Sequence, residues 1–146
     1  MKLSRTVTYA LQATLQLART GSSRPVPCSQ LASEGKMPER FLLQILRNLV
    51  NHGILRSTRG VDGGYSLVRG ANEISLLDVI EAIDGPIGSG LPQNEGFSVE
   101  SQTELQNALK EISTTAPRQL NQIKISQLIA NPPPPPPQPE SDRPIP

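Results

Sequence analysis

A mainly α chain with one short β-hairpin near its middle is predicted from three observations. Apolar residues recur at helical spacing through most of the sequence. Residues 55–58 and 65–68 are the two short runs with strand character, and Asp62-Gly63-Gly64 between them can supply the positive-φ residues of a tight turn. From Val99 onward an apolar stripe continues far enough for one long C-terminal helix.

Residues 4–20 carry Val7, Ala10, Leu11, Leu15 and Ala18 on one side of a helix. Ser4 is a candidate N-cap, and Gly21 with Ser22-Ser23 ends the helix. Pro25 and Pro27 make an extended link. Ser29 is placed to cap a short helix containing Leu31 and Ala32, which Gly35 breaks. A second helix starts at Pro38, a residue suited to a first helical turn. It is expected to turn Phe41, Leu42, Ile45, Leu46 and Leu49 to one face. Arg40, Gln44, Arg47 and Asn51 then fall opposite, a polar face without an acid, with Glu39 off to one side. Gly53 terminates this helix.

Ser75 opens a further helix, with Asp78 completing a capping box and Ile74 and Val79 spaced as a hydrophobic staple. Leu76, Ile80 and Ile83 give it one apolar side, and Asp84-Gly85-Pro86 ends it. Residues 86–98 read as a loop. In the long helix, Leu105, Ala108, Leu109, Ile112, Ala116, Leu120 and Ile123 keep the stripe. Pro117 predicts a kink or restart, capped by Thr114 or Thr115. Ser126 is placed to cap a final turn over residues 127–130. Residues 131–146 form a proline-rich tail of polyproline character.

Two consecutive helices between Cys28 and His52, followed at once by a glycine-rich hairpin with Arg59 at its foot, read as a winged helix-turn-helix. Such domains put one helix in the DNA major groove and the hairpin tip near the minor groove or backbone. The predicted organisation is a winged helix-turn-helix DNA-binding domain over residues 1–85, the loop 86–98, a dimerisation helix and terminal turn over 99–130, and the tail.

Charge agrees with that division. Net charge is +1 overall, but residues 1–70 hold ten Lys/Arg against three Asp/Glu, whereas residues 71–146 hold four against ten. The basic half suits a polyanion. Aromatic content of 3%, without tryptophan, disfavours a stacking platform for single strands. The single cysteine, Cys28, excludes an intrachain disulfide. Neither a signal peptide nor a membrane span is visible, so a cytoplasmic chain that meets no membrane is expected. Gly60 to Gly64 is not a dinucleotide-binding motif, and no nucleophile–base pair stands out, so an enzyme is not expected.

The chain resembles the bacterial winged-helix regulators of the IscR, NsrR and CymR superfamily. The resemblance rests on Leu3-Ser4 with Tyr9-Ala10-Leu11, Leu31-Ala32 through Gly53, Arg59-Gly60 with Gly63-Gly64-Tyr65, and Asp78 through Gly85. Leu120 and the segment Ile123 to Leu128 also match, so that about residues 1–130 are covered. It implies a homodimeric DNA-binding transcription factor, most simply a repressor. Cluster-binding members carry three cysteines in the loop before the long helix. Residues 86–98 hold none, so the resemblance implies a member without an iron–sulfur cluster, and no cofactor is expected. Members that read promoter types sensitive to cluster loading often have an acid two residues after the aromatic of the recognition helix, where this chain has Leu43, so the resemblance implies a base preference different from theirs.

The expected DNA-binding residues are therefore Arg5, Tyr9, Arg40, Gln44, Arg47, Arg59 and Gly60, acting on double-stranded DNA with a pseudo-palindromic operator. Leu105, Leu109, Ile112, Leu120 and Ile123 are the expected dimer interface, since a small winged domain cannot cover the whole stripe. Cys28 reads as packing rather than a redox switch, and His52 as a helix C-cap. Two alternatives stay open: a protein-interaction adaptor using the acidic half and the proline tail, and a regulator gated by an unidentified small-molecule or protein effector.

Overall fold

The computed structural model describes residues 2–21, 24–87 and 95–129. Much of the predicted loop 86–98 and the whole proline-rich tail lie outside them. Three helices come first: α1 (Arg5–Thr20), α2 (Cys28–Gly35) and α3 (Glu39–Asn51). Strands β1 (Leu55–Thr58) and β2 (Gly64–Leu67) follow, then α4 (Leu76–Asp84), α5 (Val99–Gln122) and a 3-10 turn at Ile125–Leu128. No helix among the described residues is long and apolar enough to cross a membrane.

Local chemistry accounts for the boundaries. The Ser4 hydroxyl accepts from the Val7 N–H at 3.2 Å and caps α1. At its other end Gly21 takes φ 55°, the left-handed conformation that closes a helix. In α4 the Ser75 hydroxyl accepts from Asp78 N–H (3.0 Å), while the Asp78 carboxylate accepts from Ser75 N–H (2.9 Å), so the expected capping box forms in full. The start of α2 differs from expectation. Pro27 is its N-cap residue, without a side-chain hydrogen bond, and Ser29 lies inside the helix. Its end differs too: Gly35 is the last helical residue, and Lys36 takes the left-handed φ of 54°. A Cβ on Gly35 would meet only the ends of the flexible Gln12, Gln16 and Met37 side chains, and its φ is not in the left-handed region, so neither backbone packing nor φ demands a glycine there.

The helix α5 runs unbroken through Pro117, so the restart expected there does not occur. Proline has no N–H to offer the Ser113 carbonyl, and one ladder bond is missing from an otherwise continuous helix. The Thr114 hydroxyl donates to the Lys110 carbonyl at 2.9 Å, inside the helix and not as a cap.

One principal core joins α1 through Ala10, Ala13 and Leu17, α2 through Leu31, α3 through Leu42, Leu46 and Leu49, and α4 through Val79. Ile125 and Ile129 belong to the same core. The chain leaves α5 and returns: Leu76 N–H donates to the Ile123 carbonyl and Ile125 N–H to the Ile74 carbonyl, both at 2.8 Å. The terminal segment is thus tied into the winged domain. A second cluster packs Val7 of α1, Ile80 of α4 and Leu120 of α5. It fixes the C-terminal end of the long helix against α1 and α4.

Candidate nucleic-acid interface

Burial sorts the side chains of α3. Leu42, Ile45, Leu46 and Leu49 are buried, and Arg40, Gln44, Arg47 and Asn51 are exposed, as the helical spacing predicts. Two apolar residues depart from that picture. Phe41, expected on the core face, is 67% exposed, and Leu43 is 37% exposed. At about 100° per residue, Phe41 falls beyond the edge of the buried arc, which Leu42, Ile45, Leu46 and Leu49 already fill. The outer surface of α3 is therefore a polar strip of Arg40, Gln44 and Arg47, bordered near its N-terminal end by two exposed apolar side chains.

The hairpin is antiparallel, with Leu55 opposite Leu67 and Thr58 opposite Gly64. Its tip is residues 59–63, closed by Gly63 N–H donating to the Gly60 carbonyl at 3.0 Å. The positive φ values belong to Gly60 (111°) and Gly64 (150°), whereas Asp62 and Gly63 do not have them. Gly63 is needed for space instead, since a Cβ there would strike the Thr58 carbonyl. Nothing approaches the place a Gly60 Cβ would occupy, so that side of the tip is open. Val61 at the tip is fully exposed.

A contact invisible in the sequence anchors this wing. Val26, in the link between α1 and α2, forms an antiparallel bridge with Tyr65. Val26 N–H donates to the Tyr65 carbonyl (2.9 Å) and Tyr65 N–H to the Val26 carbonyl (2.8 Å). Gly64 allows the two chains to come this close, because a Cβ there would collide with the Val26 carbonyl. The extended Pro25-Val26-Pro27 run was the only signal of it, since a chain held straight by prolines suits a strand edge.

Each remaining expected residue can be placed. Arg59 is exposed at the end of β1. Arg5 is exposed in the first turn of α1, and Tyr9 is half-buried against the principal core. Among the described residues none of Arg5, Arg40, Arg47 and Arg59 is ion-paired; the ion pair found there joins Arg69 to Asp78 at 3.9 Å. Their guanidinium groups are therefore available to an outside anion. Arg47 also acts on the wing. Burial, and next the neighbouring Cys28, push the Tyr65 phenol up from its ordinary value, and the Arg47 charge opposes them.

Cys28 sits at the start of α2, its thiol 3.9 Å from the Glu39 carbonyl oxygen. Burial, and next the Glu39 charge, push that thiol up, the opposite of what a reactive cysteine needs. His52 caps α3, its Nδ1–H donating to the Asn48 carbonyl at 2.8 Å.

The expected dimer stripe divides. Leu105 and Ile112 are exposed, Ile112 at 61%, and Leu109 and Ile123 are half-buried. Leu120 does not belong with them: it is 8% exposed and packs on Val7 and Ile80 of its own chain. Phe97 and Val99, at the start of α5, extend the exposed apolar surface. The periodicity of α5 gave all these residues one stripe and could not show that its last turns are covered by α1 and α4.

A helix-turn-helix with an attached wing and an unpaired arginine surface defines a winged-helix nucleic-acid-binding module. Residues 3–131 match the Rrf2 family, described as "Iron-dependent Transcriptional regulator", and the chain belongs to that family. It is 43% identical over 89 residues to a Mycobacterium tuberculosis protein provisionally named an HTH-type transcriptional regulator, a match covering 61% of this chain and 55% of that protein. The chain thus spans little more than half the length of that relative. Over 132 residues it is 30% identical to the HTH-type transcriptional regulator IscR of Cronobacter sakazakii, covering 90% of this chain and 82% of that one. Among solved structures it is similar to CymR, the global cysteine regulator of B. subtilis. The TM-score is 0.69 and the identity 25%, with 88% of this chain and 95% of that one covered. The family is one of transcriptional regulators, not of enzymes.

The family description raises the question of iron. The chain has one cysteine and one histidine. Cys28 is held as a thiol beside a carbonyl, and the His52 Nδ1 is committed to Asn48. Among the described residues no three His, Cys, Asp or Glu side chains group as a metal site would require. A thiolate-ligated cluster needs more sulfur donors than one chain of this sequence carries, so the residues present do not fit such a group.

Proposed function

We propose that the chain is a homodimeric repressor that binds double-stranded DNA sequence-specifically, in the cytoplasm and without an iron–sulfur cluster. The observation that carries the reading is the unpaired surface of α3, with Arg40, Gln44 and Arg47, beside a wing whose Arg59-Gly60 tip is anchored through Val26 and Tyr65. In this reading α3 enters the major groove, where Arg and Gln read base edges. Arg59 reaches the adjoining minor groove or phosphates, and the open side of Gly60 allows the backbone close to them. Arg5 and Tyr9 contact phosphate and fix the register.

Dimerisation uses the uncovered apolar surface of α5 around Leu105, Leu109 and Ile112. Leu120 positions α5 from within the chain, and Ile123 joins the terminal segment to α4. A two-fold dimer requires a pseudo-palindromic operator. The chemistry of the effector is outside this reading, and the tail is assigned no part in DNA binding. Mobility shift of the full chain on genomic fragments tests the reading. Selective retardation of a few promoter fragments supports it. Uniform or absent binding contradicts it and favours a protein-interaction adaptor.

A further inference from the structure

The exposed apolar pair on α3 is unexplained by phosphate or hydrogen-bonding contacts. Leu42, Ile45, Leu46 and Leu49 place their side chains in the core, but Phe41 is 67% exposed and Leu43 37%. The two residues lie on opposite borders of the strip formed by Arg40, Gln44 and Arg47. They are about 3 Å apart along the helix axis, within the first turns of α3. In a recognition helix those first turns reach the base edges.

We propose that Phe41 and Leu43 read the C5-methyl groups of two thymines in each operator half-site, on either side of the bases contacted by Arg40 and Gln44. The inference rests on the reading of α3 as the recognition helix and deepens it. Thymine is the base that offers an apolar group in the major groove, and apolar side chains recognise it by contact. Leu43 has no acceptor for the amino group that cytosine presents at the same place, so the pair also discriminates against cytosine. Charge complementarity commits the site to DNA. The strip between the two apolar residues carries two guanidinium groups with no ion-pair partner among the described residues, and Glu39 is displaced from it. The polar, cationic strip at the middle of the exposed face meets the base edges of the groove floor, and the thymine methyls, which project from the bases towards the sides of the groove, come within reach of its apolar borders. A second copy of this chain would have to face the same cations.

The test uses the full chain and an operator selected from a random duplex pool. Each thymine is replaced singly by deoxyuridine, which removes the methyl group and keeps every hydrogen-bonding group. Two positions per half-site should each lose about three- to fivefold in affinity, the effect of uncovering roughly one methylene equivalent. Phe41→Ala should abolish the penalty at one of these positions and Leu43→Ala at the other, the non-additivity that marks direct contact. Phe41→Ala, at the 67% exposed site, should melt like wild type; Leu43 is 37% exposed and Leu43→Ala gives up some packing, so both variants are compared at a temperature where each is fully folded. Selective binding with no deoxyuridine penalty, or with penalties unchanged in both variants, overturns this inference alone. A change of oligomeric state in Phe41→Ala without any methyl sensitivity also overturns it and assigns Phe41 to a protein contact. Failure of the wild type to select any sequence overturns the recognition-helix reading, and this inference falls with it.

Discussion

Val26 and Tyr65 exchange two backbone hydrogen bonds, at 2.9 and 2.8 Å, and so join the link before α2 to the second strand of the wing. A two-stranded hairpin alone is marginal in water. This bridge gives it a third backbone partner and couples its orientation to the helix-turn-helix. Tyr65 is at once a wing residue, a neighbour of Cys28 and a group that feels the charge of Arg47. The wing and α3 are thereby held as one surface.

Gly64→Ala tests that coupling. The residue takes φ 150°, and a Cβ would collide with the Val26 carbonyl. The variant should lose about 1–3 kcal/mol of stability if the bridge is kept under strain. If the bridge opens instead, the melting temperature should change less, while hydrogen exchange at the Tyr65 amide accelerates and DNA affinity falls. Unchanged exchange, stability and affinity together would show that the bridge has no such role.

Arg59→Ala and Arg47→Ala separate positioning from reading. Both side chains are exposed and unpaired among the described residues, so neither change should affect folding. Loss of a phosphate contact should reduce the slope of log affinity against log salt by about one. Loss of a base contact should cost about 1–3 kcal/mol and relax preference at that base pair. Titrations at several salt concentrations distinguish the two; Arg59→Ala should act mainly on the salt slope and Arg47→Ala on preference.

Iron is expected to leave DNA binding unchanged. Anaerobic reconstitution with iron and sulfide should give a colourless protein, and chelators should not alter operator affinity. A stoichiometric visible chromophore would mean that Cys28 thiols, held protonated by burial and by Glu39, had been recruited across subunits.

Ile112→Glu addresses the dimer. Ile112 is 61% exposed in the single chain, so a carboxylate there should be harmless to the fold and costly only if a partner covers it. Sedimentation should shift towards monomer, and affinity for a full operator should approach that for an isolated half-site, because the two contacts no longer act together. By contrast, Leu120→Ala should lower the melting temperature by removing packing on Val7 and Ile80, about 2–5 kcal/mol for a well-buried leucine.

Local signals carried most of the fold. The Ser75–Asp78 capping box, the Ser4 cap, the Gly21 terminus and the periodicity of α1 and α3 are short-range chemistry, legible wherever the residues stand. What stayed hidden depends on distant parts of the chain. Phe41 has helical spacing compatible with a core face, yet the available core volume is filled by other residues of α3. Leu120 and Ile125 belong to periodic or apolar runs whose partners, in α1 and α4 or at Ile74, lie far away in sequence. The restart allowed for at Pro117 does not occur because one missing hydrogen bond does not outweigh the rest of a 24-residue helix. For the candidate interface, arginine positions were readable, but the Val26–Tyr65 bridge and the apolar borders of α3 were not.

Selection from a random pool of duplex oligonucleotides by the full chain tests the central claim most directly. The enriched sequences should converge on an inverted repeat, with half-site centres about one helical turn or a multiple of it apart. Arg47→Ala should shift the motif at one base pair in each half-site. A pool that remains random after successive rounds, while the protein stays folded, would contradict sequence-specific DNA binding by this surface.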